Sequence, residues 1–430
     1  MLESLAAAFR IPELKRRIQF NLAMFAVFAV GAHIPVPGID HAKAEALFGG
    51  TGGLLGLVDV FSGGALRRMS LFAMGIVPYI NASIIMQMLT LAIPQLEVLS
   101  KEGESGRKQI AKITRYLTIV LAFFQAIGLS LMFRDAATGV FGLGQMWITM
   151  VAGTCFLLWI GEQMTEKGIG NGVSLVIFAG IMLSLPYQTG LVVQQVEDGI
   201  VSPLQVILLL ALFVGTIYGI VLITQGQRKI PIQHVKRVVG MRMTTQGGSS
   251  FLPIKVNTAG VIPIIFAISL LLLPAQILAM FPQQGGLIGT LKRFAMNLSP
   301  GQTWWSMLVY AVLIVVFTYF YTAIVMNVQD MADNLKKYGN YIPGIRPGKP
   351  TFDYLDRVVS RITLAGALFL AAVALVQYVA PVVTGVTSFG LIGGTSLLII
   401  VGVAIETMQA IEAQLLMRNY EGFIKSSGMG

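Results

Sequence analysis

The chain has 430 residues, 55% of them hydrophobic and 12% charged, with a formal net charge of +10. Soluble domains carry about 25% charged residues and disordered chains are poor in apolar ones, so both classes are excluded. A lone cysteine, Cys155, rules out a disulfide scaffold, and a mean hydropathy of +0.76 leaves a polytopic membrane protein built from helices.

A bilayer is crossed by about 20 apolar residues in a helix. On that rule the sequence predicts ten spans, near 18–34, 73–93, 113–132, 143–161, 172–188, 204–223, 258–280, 305–326, 358–379 and 395–416. Arg10, Lys15, Arg16 and Arg17 precede the first. No small-residue cleavage site closes that run, so it reads as a retained span rather than a removed signal peptide.

Between the first two spans, Leu54 to Arg68 is apolar but broken by Gly56, Gly63 and Gly64. It is too short to span. Two readings stand at this point, a helix resting in the interface or a segment folding back into the protein.

Farther along, the stretches 225–257 and 327–357 are long, basic loops with Gly and Pro. Loops above about 15 residues are usually functional; the plainer reading is that their charge holds the topology. With the N-terminus cytoplasmic, 24 of the 30 Lys and Arg fall on that side and six on the other. This positive-inside bias places both termini in the cytoplasm. The ten spans divide into halves of five, 1–188 and 189–430, a pattern that fits an inverted repeat.

Catalytic chemistry finds no footing. His33, His41 and His234 are not spaced for a metal, Cys155 sits in an apolar run, and no phosphate-binding Gly-rich Lys-Ser/Thr loop is present. A membrane-embedded enzyme would need paired catalytic groups inside the spans. The remaining alternative is a secondary transporter for small solutes, which would need ionisable groups at mid-membrane. Glu406 and Glu412 are the main candidates, and both lie toward the cytoplasmic end of the last span.

Polar residues within the spans are mostly amides and hydroxyls: Asn81, Ser83 and Gln87 on the second, Gln125 on the third and Asn257 at the start of the seventh. They serve equally as ordinary helix glue or as a seam that opens. Isoleucines recur at helical spacing as Ile76, Ile80 and Ile84, and as Ile177 and Ile181. Lipid-facing or core packing is the common meaning; a narrow apolar constriction is the sharper one.

Five motifs in order then carry a resemblance over essentially the whole chain. They are Phe61–Gln87 (FSGGALRRMSLFAMGIVPYINASIIMQ), Lys101–Lys108 (KEGESGRK), Gly168–Gly172 (GIGNG), Lys255–Pro263 (KVNTAGVIP) and Ile342–Gly348 (IPGIRPG). Together they resemble the SecY family, the large subunits of the bacterial protein-conducting channel.

The resemblance implies an all-α fold of ten spans in two pseudo-symmetric halves around a central pore, with a short re-entrant plug. It implies no enzymatic activity and no cofactor. Passive passage of unfolded preproteins, with sideways release of signal sequences and membrane helices into lipid, would be the function. The pore ring would be Ile76, Ile80, Ile177, Ile181, Ile265 and Ala404, with Ile400 one turn earlier able to replace the small Ala404. Leu54, Leu57, Val60, Phe61, Ser62, Gly63 and Gly64 would form the plug. Asn81, Ile84, Gln87, Gln125, Asn257 and Leu273 would line a lateral gate between the second and seventh spans. Arg346, Lys236, Arg237 and Arg242 would dock the ribosome or the SecA ATPase, phosphate-rich RNA attracting such cations. SecE and SecG would be companion subunits in a bacterial inner membrane.

Overall fold

The computed structural model describes residues 7–44, 54–138, 141–234, 250–279, 287–386 and 393–427. Ten of its helices stand where the ten apolar runs lie: α1 (Pro12–Gly31), α3 (Val77–Ala92), α5 (Glu104–Met132), α6 (Gly142–Lys167), α7 (Gly172–Glu197), α8 (Pro203–Gln225), α9 (Ile262–Ala279), α11 (Trp304–Val325), α13 (Lys349–Thr384) and α14 (Gly394–Ser427). The short helices are α2 (Leu54–Phe61), α4 (Pro94–Lys101), α10 (Leu287–Leu298) and α12 (Val328–Lys337). Among the described residues seven helices are long and apolar enough to cross a membrane alone, and α3 with α4 forms one further, bent candidate.

Hydropathy finds the apolar stretch, whereas backbone hydrogen bonding decides where a helix stops. Hence α5 begins at Glu104 and α13 at Lys349, each well before its apolar run. The second expected span departs the other way. Residues 72–76 form turns, with Gly75 at φ 56, and α3 starts only at Val77 with Pro78 in its first turn. At the far end Pro94 has no N–H to donate and pushes Ile93 into extended backbone (φ −107, ψ 113), so α4 leaves α3 at 101°. The third departure is α7, which continues past residue 188 to Glu197, so the chain's midpoint break is the turn before Pro203.

Helix starts are capped as their residues dictate. Asn171 accepts from Val173 N and Ser174 N at 3.0 and 3.4 Å to open α7. Ser202 with Gln205 opens α8, and Thr303 with Ser306 opens α11, as reciprocal capping boxes.

The two long basic loops are ordered over much of their length. Strand β1 (Gln227–His234) pairs antiparallel with β2 (Ser250–Lys255) in the register Gln227↔Lys255 to Ile232↔Ser250. The two-residue strand β3 (Asn340–Tyr341) joins the other edge of β1. Ile230, Ile232 and Ile254 of this sheet share a satellite core with Val328, Leu335 and Leu355 of α12 and α13. The described parts of both loops therefore fold into one knob. The alternating apolar residues of 228–232 and 250–254 carry that strand period, which the basic composition obscured in the sequence.

A single continuous apolar core runs through the helices, with contributions from the residues after α2 and from α3, α7, α9 and α14. Within it α3 packs on α5 and α9, α7 packs on α2 and α14, and α9 packs on α11.

Candidate functional site

The isoleucines gather in this core. Ile76 caps the start of α3 and is buried; Ile80 donates its N–H to Ile76 O at 3.1 Å, one turn on. Ile177 and Ile181 are buried on α7. Ile265, in the first turn of α9, is half-buried against the same cluster. Ala404 stands apart from these five. It is exposed and lines a cavity of about 260 Å³ with Ile18, Phe25, Phe178 and Thr407. Ile400, one turn earlier on α14, packs against the isoleucine core instead. Ile400 and Ala404 lie one turn apart on one face of α14, so what separates them is height along the helix.

Helix α2 folds back onto α7 rather than lying alone. Leu54 and Leu57 belong to this helix, and Val60, Ser62, Gly63 and Gly64 are buried with Phe61 half-buried. Two glycines let the backbones touch. Gly63 has φ 74, and a Cβ there would come within 3.1 Å of Gly180 O. A Cβ on Gly180 would overlap Phe61 O. Glycine inside a helix costs about 1 kcal/mol relative to alanine; here it is the condition for contact.

Polar bonds fasten the turn that follows. Ser62 Oγ donates to Asp59 O at 3.0 Å and accepts from Leu66 N at 3.2 Å. Arg67 N donates to Asp59 Oδ1 at 2.8 Å. The Arg67 guanidinium lies 3.3 Å over the Tyr187 ring of α7, and Arg68 Nη1 meets His33 Nε2 at 2.6 Å.

Where α9 meets α3 and α5, the seam carries amides. Asn81 and Asn257 are buried; Gln87, Gln125, Ile84 and Leu273 are half-buried. Gln87 Nε2 donates to Ser83 Oγ at 3.3 Å. Yet Asn81 Oδ1, Gln87 Oε1 and Asn257 Oδ1 are buried and accept no hydrogen bond. The turn bearing Asn257 is also braced from α14, through Lys255 Nζ donating to Gln409 Oε1 at 3.1 Å.

Arg346 is exposed in the turn leading to α13, between Gly344 (φ 82) and Gly348 (φ 103). Its carbonyl accepts from Thr351 Oγ1 at 2.8 Å, so the backbone is fixed while the guanidinium is presented. Lys236, Arg237 and Arg242 lie outside the described residues. Among the described residues no cluster of His, Cys, Asp and Glu could hold a metal.

The SecY family model matches residues 70–408. The chain belongs to the SecY family. The protein translocase subunit SecY of Streptomyces galbus is 43% identical over 449 residues, covering 99% of this chain and 100% of the relative. That of Halalkalibacterium halodurans is 44% identical over 438 residues, with coverage of 99% and 100%. Among solved structures, a SecY protein whose plug domain is described as stabilising the closed channel superposes with a TM-score of 0.67 at 20% identity, covering 93% of this chain and 92% of that one. Sec61 from a canine ribosome–channel complex gives 0.64 at 16%, with the same coverage. At such identities the structural likeness speaks for the fold, and the sequence relatives for the family.

SecY-family membership makes the chain a multi-pass membrane protein and a translocation-channel subunit, not an enzyme. Against that frame, sequence reading passed over Asp59, Arg67, Tyr187, His33 and Gly180. Asp59 did leave a signal, as the one charged residue between Leu54 and Leu66. Gly180, a glycine set between Ile177 and Ile181, was a second. Tyr187 and His33 left none, because only folding brings them to the arginines.

Proposed function

We propose that the chain is the pore-forming subunit through which unfolded preproteins pass without energy input of its own, the waist being Ile76, Ile80, Ile177, Ile181 and Ile265 with Ile400 or Ala404 from α14. One observation carries this reading: α2 and Gly63 seat on Gly180, between the two α7 isoleucines, so a plug meets the waist at its own level. Branched aliphatic side chains form no hydrogen bonds to trap a passing chain and make a narrow neck costly for hydrated ions. Leu54, Leu57, Val60, Phe61, Ser62, Gly63 and Gly64 close it at rest.

Signal sequences and membrane helices leave sideways between α3 and α9, past Asn81, Ile84, Gln87, Gln125, Asn257 and Leu273. The two halves, expected at 1–188 and 189–430, hinge at the turn between α7 and α8, so all of α7 belongs to the first half. The knob with Arg346 faces the cytoplasm and docks the ribosome or the SecA ATPase, with Lys236, Arg237 and Arg242 of the first basic stretch as further docking cations; SecE and SecG complete the channel in a bacterial inner membrane, with both termini cytoplasmic. The 24-to-6 cation bias supports that orientation.

The test is photo-crosslinking from positions 76, 80, 177, 181 and 265 to a stalled secretory chain. Crosslinks from all five are expected. Labelling confined to exposed positions such as Leu204 on α8 would overturn the reading.

A further inference from the structure

Helix α10 is unexplained by the channel. It spans Leu287–Leu298, packs on α9 and α11, and lies at the end of α9 remote from the sheet. Five of its seven apolar residues, Leu287, Leu291, Phe294, Ala295 and Leu298, fall on one stripe of the helix. Only part of that stripe is used inside the protein: Ala295 is buried and Leu298 packs against the core. Leu291 and Phe294 are exposed, Phe294 to 65%. Next to them, at the mouth of α11, Trp304 and Trp305 stack at 4.3 Å and are also exposed.

Charge completes the pattern. From Val256 to Gln329 the sequence has no Asp or Glu, and its only charged residues are Lys292 and Arg293. They follow Leu291 in the sequence of α10, and Arg293 is exposed. A short helix joining two spans, with an apolar stripe, flanking cations and a neighbouring tryptophan pair, has the composition of an interfacial element. Two cations with no acid on their own segment favour an anionic headgroup over a zwitterionic one.

We propose that α10 lies in the membrane interface and that Lys292 and Arg293 hold the phosphate of an anionic phospholipid beside the end of α9. Leu291, Phe294 and the two tryptophans sink among the acyl chains and bring the cations to headgroup depth. This reading rests on the spans α9 and α11 and is independent of what passes through the pore.

The experiment uses the full chain with a photo-crosslinking residue in place of Met296, which is exposed and one turn from both cations. The protein is reconstituted into vesicles of phosphatidylcholine mixed with phosphatidylglycerol, either lipid being radiolabelled in turn. Phosphatidylglycerol should be labelled up to about thirtyfold in excess of its share of the bilayer, the surface attraction expected of two cations. The double variant Lys292→Gln/Arg293→Gln should fall to parity, while Arg134→Gln, a cation elsewhere on the chain, should keep the preference. Equal labelling of the two lipids, a preference that survives the double variant, or labelling of protein in place of lipid would each overturn the proposal.

Discussion

The α2 corner, proposed as a plug, and the seam between α3 and α9, proposed as a lateral gate, are held by different means. Around the plug the polar groups are paired: Asp59 with Arg67 N, Arg67 with Tyr187, Arg68 with His33, and Ser62 within its own turn. Along the seam Asn81 Oδ1, Gln87 Oε1 and Asn257 Oδ1 are buried with no donor. A buried acceptor left without a donor costs about 1–3 kcal/mol, which a bonded one does not. So the plug is held by bonds already made, and the seam holds acceptors that a partner or water could satisfy on opening. In the proposed channel the first would have to be broken to open, and the second would be poised to part.

The strongest way to break this comparison is Gly180→Val. Its side chain would collide with Phe61 O. Overpacking costs about 1–3 kcal/mol, so the resting leak should rise roughly five- to a hundredfold in planar-bilayer conductance. Gly190→Val on the same helix, where a Cβ meets nothing within 4 Å, is the control and should leave conductance unchanged. Equal leak from the two variants would detach the plug from α7.

Next in size is the seam. Asn81→Leu or Asn257→Leu removes an unbonded acceptor and should steady the closed state by about 1–3 kcal/mol. Export of preproteins with weak signal sequences should drop while strong ones pass. Ile84→Ser and Ile265→Ser should act in the opposite sense and admit poor signals. If all four variants kept the parental stringency, the seam would lie elsewhere.

A smaller change is Arg67→Gln, which forfeits the cation–π contact with Tyr187, about 0.5–2 kcal/mol. Leak should increase by less than in Gly180→Val. A larger rise would make the arginine, not the backbone fit, the main fastening. The smallest effect on leak belongs to Arg346→Glu. It touches neither region and should leave conductance at the parental level while lowering export, with folded protein retained on gel filtration. Normal export would remove Arg346 from partner docking.

Much of this was legible beforehand because bilayers impose so strict a rule on apolar run length. Helices α6 and α8 fall on their predicted spans within a few residues at one or both ends. The bend at Pro94 was there to be read, but hydropathy carries straight through Leu91–Ile93 and masks it. Strands β1 and β2 hid behind Lys, Arg and Pro, which count against a buried element although one edge of this sheet faces outward. Ala404 shows another gap: a motif alignment fixes a position along α14 but not what the side chain there faces. Arg67 on Tyr187 could not be foreseen, being a meeting of residues 120 positions apart.

The small sheet also ties distant parts of the chain into a lever. Strand β2 runs through Lys255 and a short turn straight into α9, β1 continues from α8, and β3 lies just ahead of α13. On the proposed function, a docked partner gripping this handle would pull on three helices at once, and torque applied there would reach α9 at the proposed gate without crossing the proposed waist.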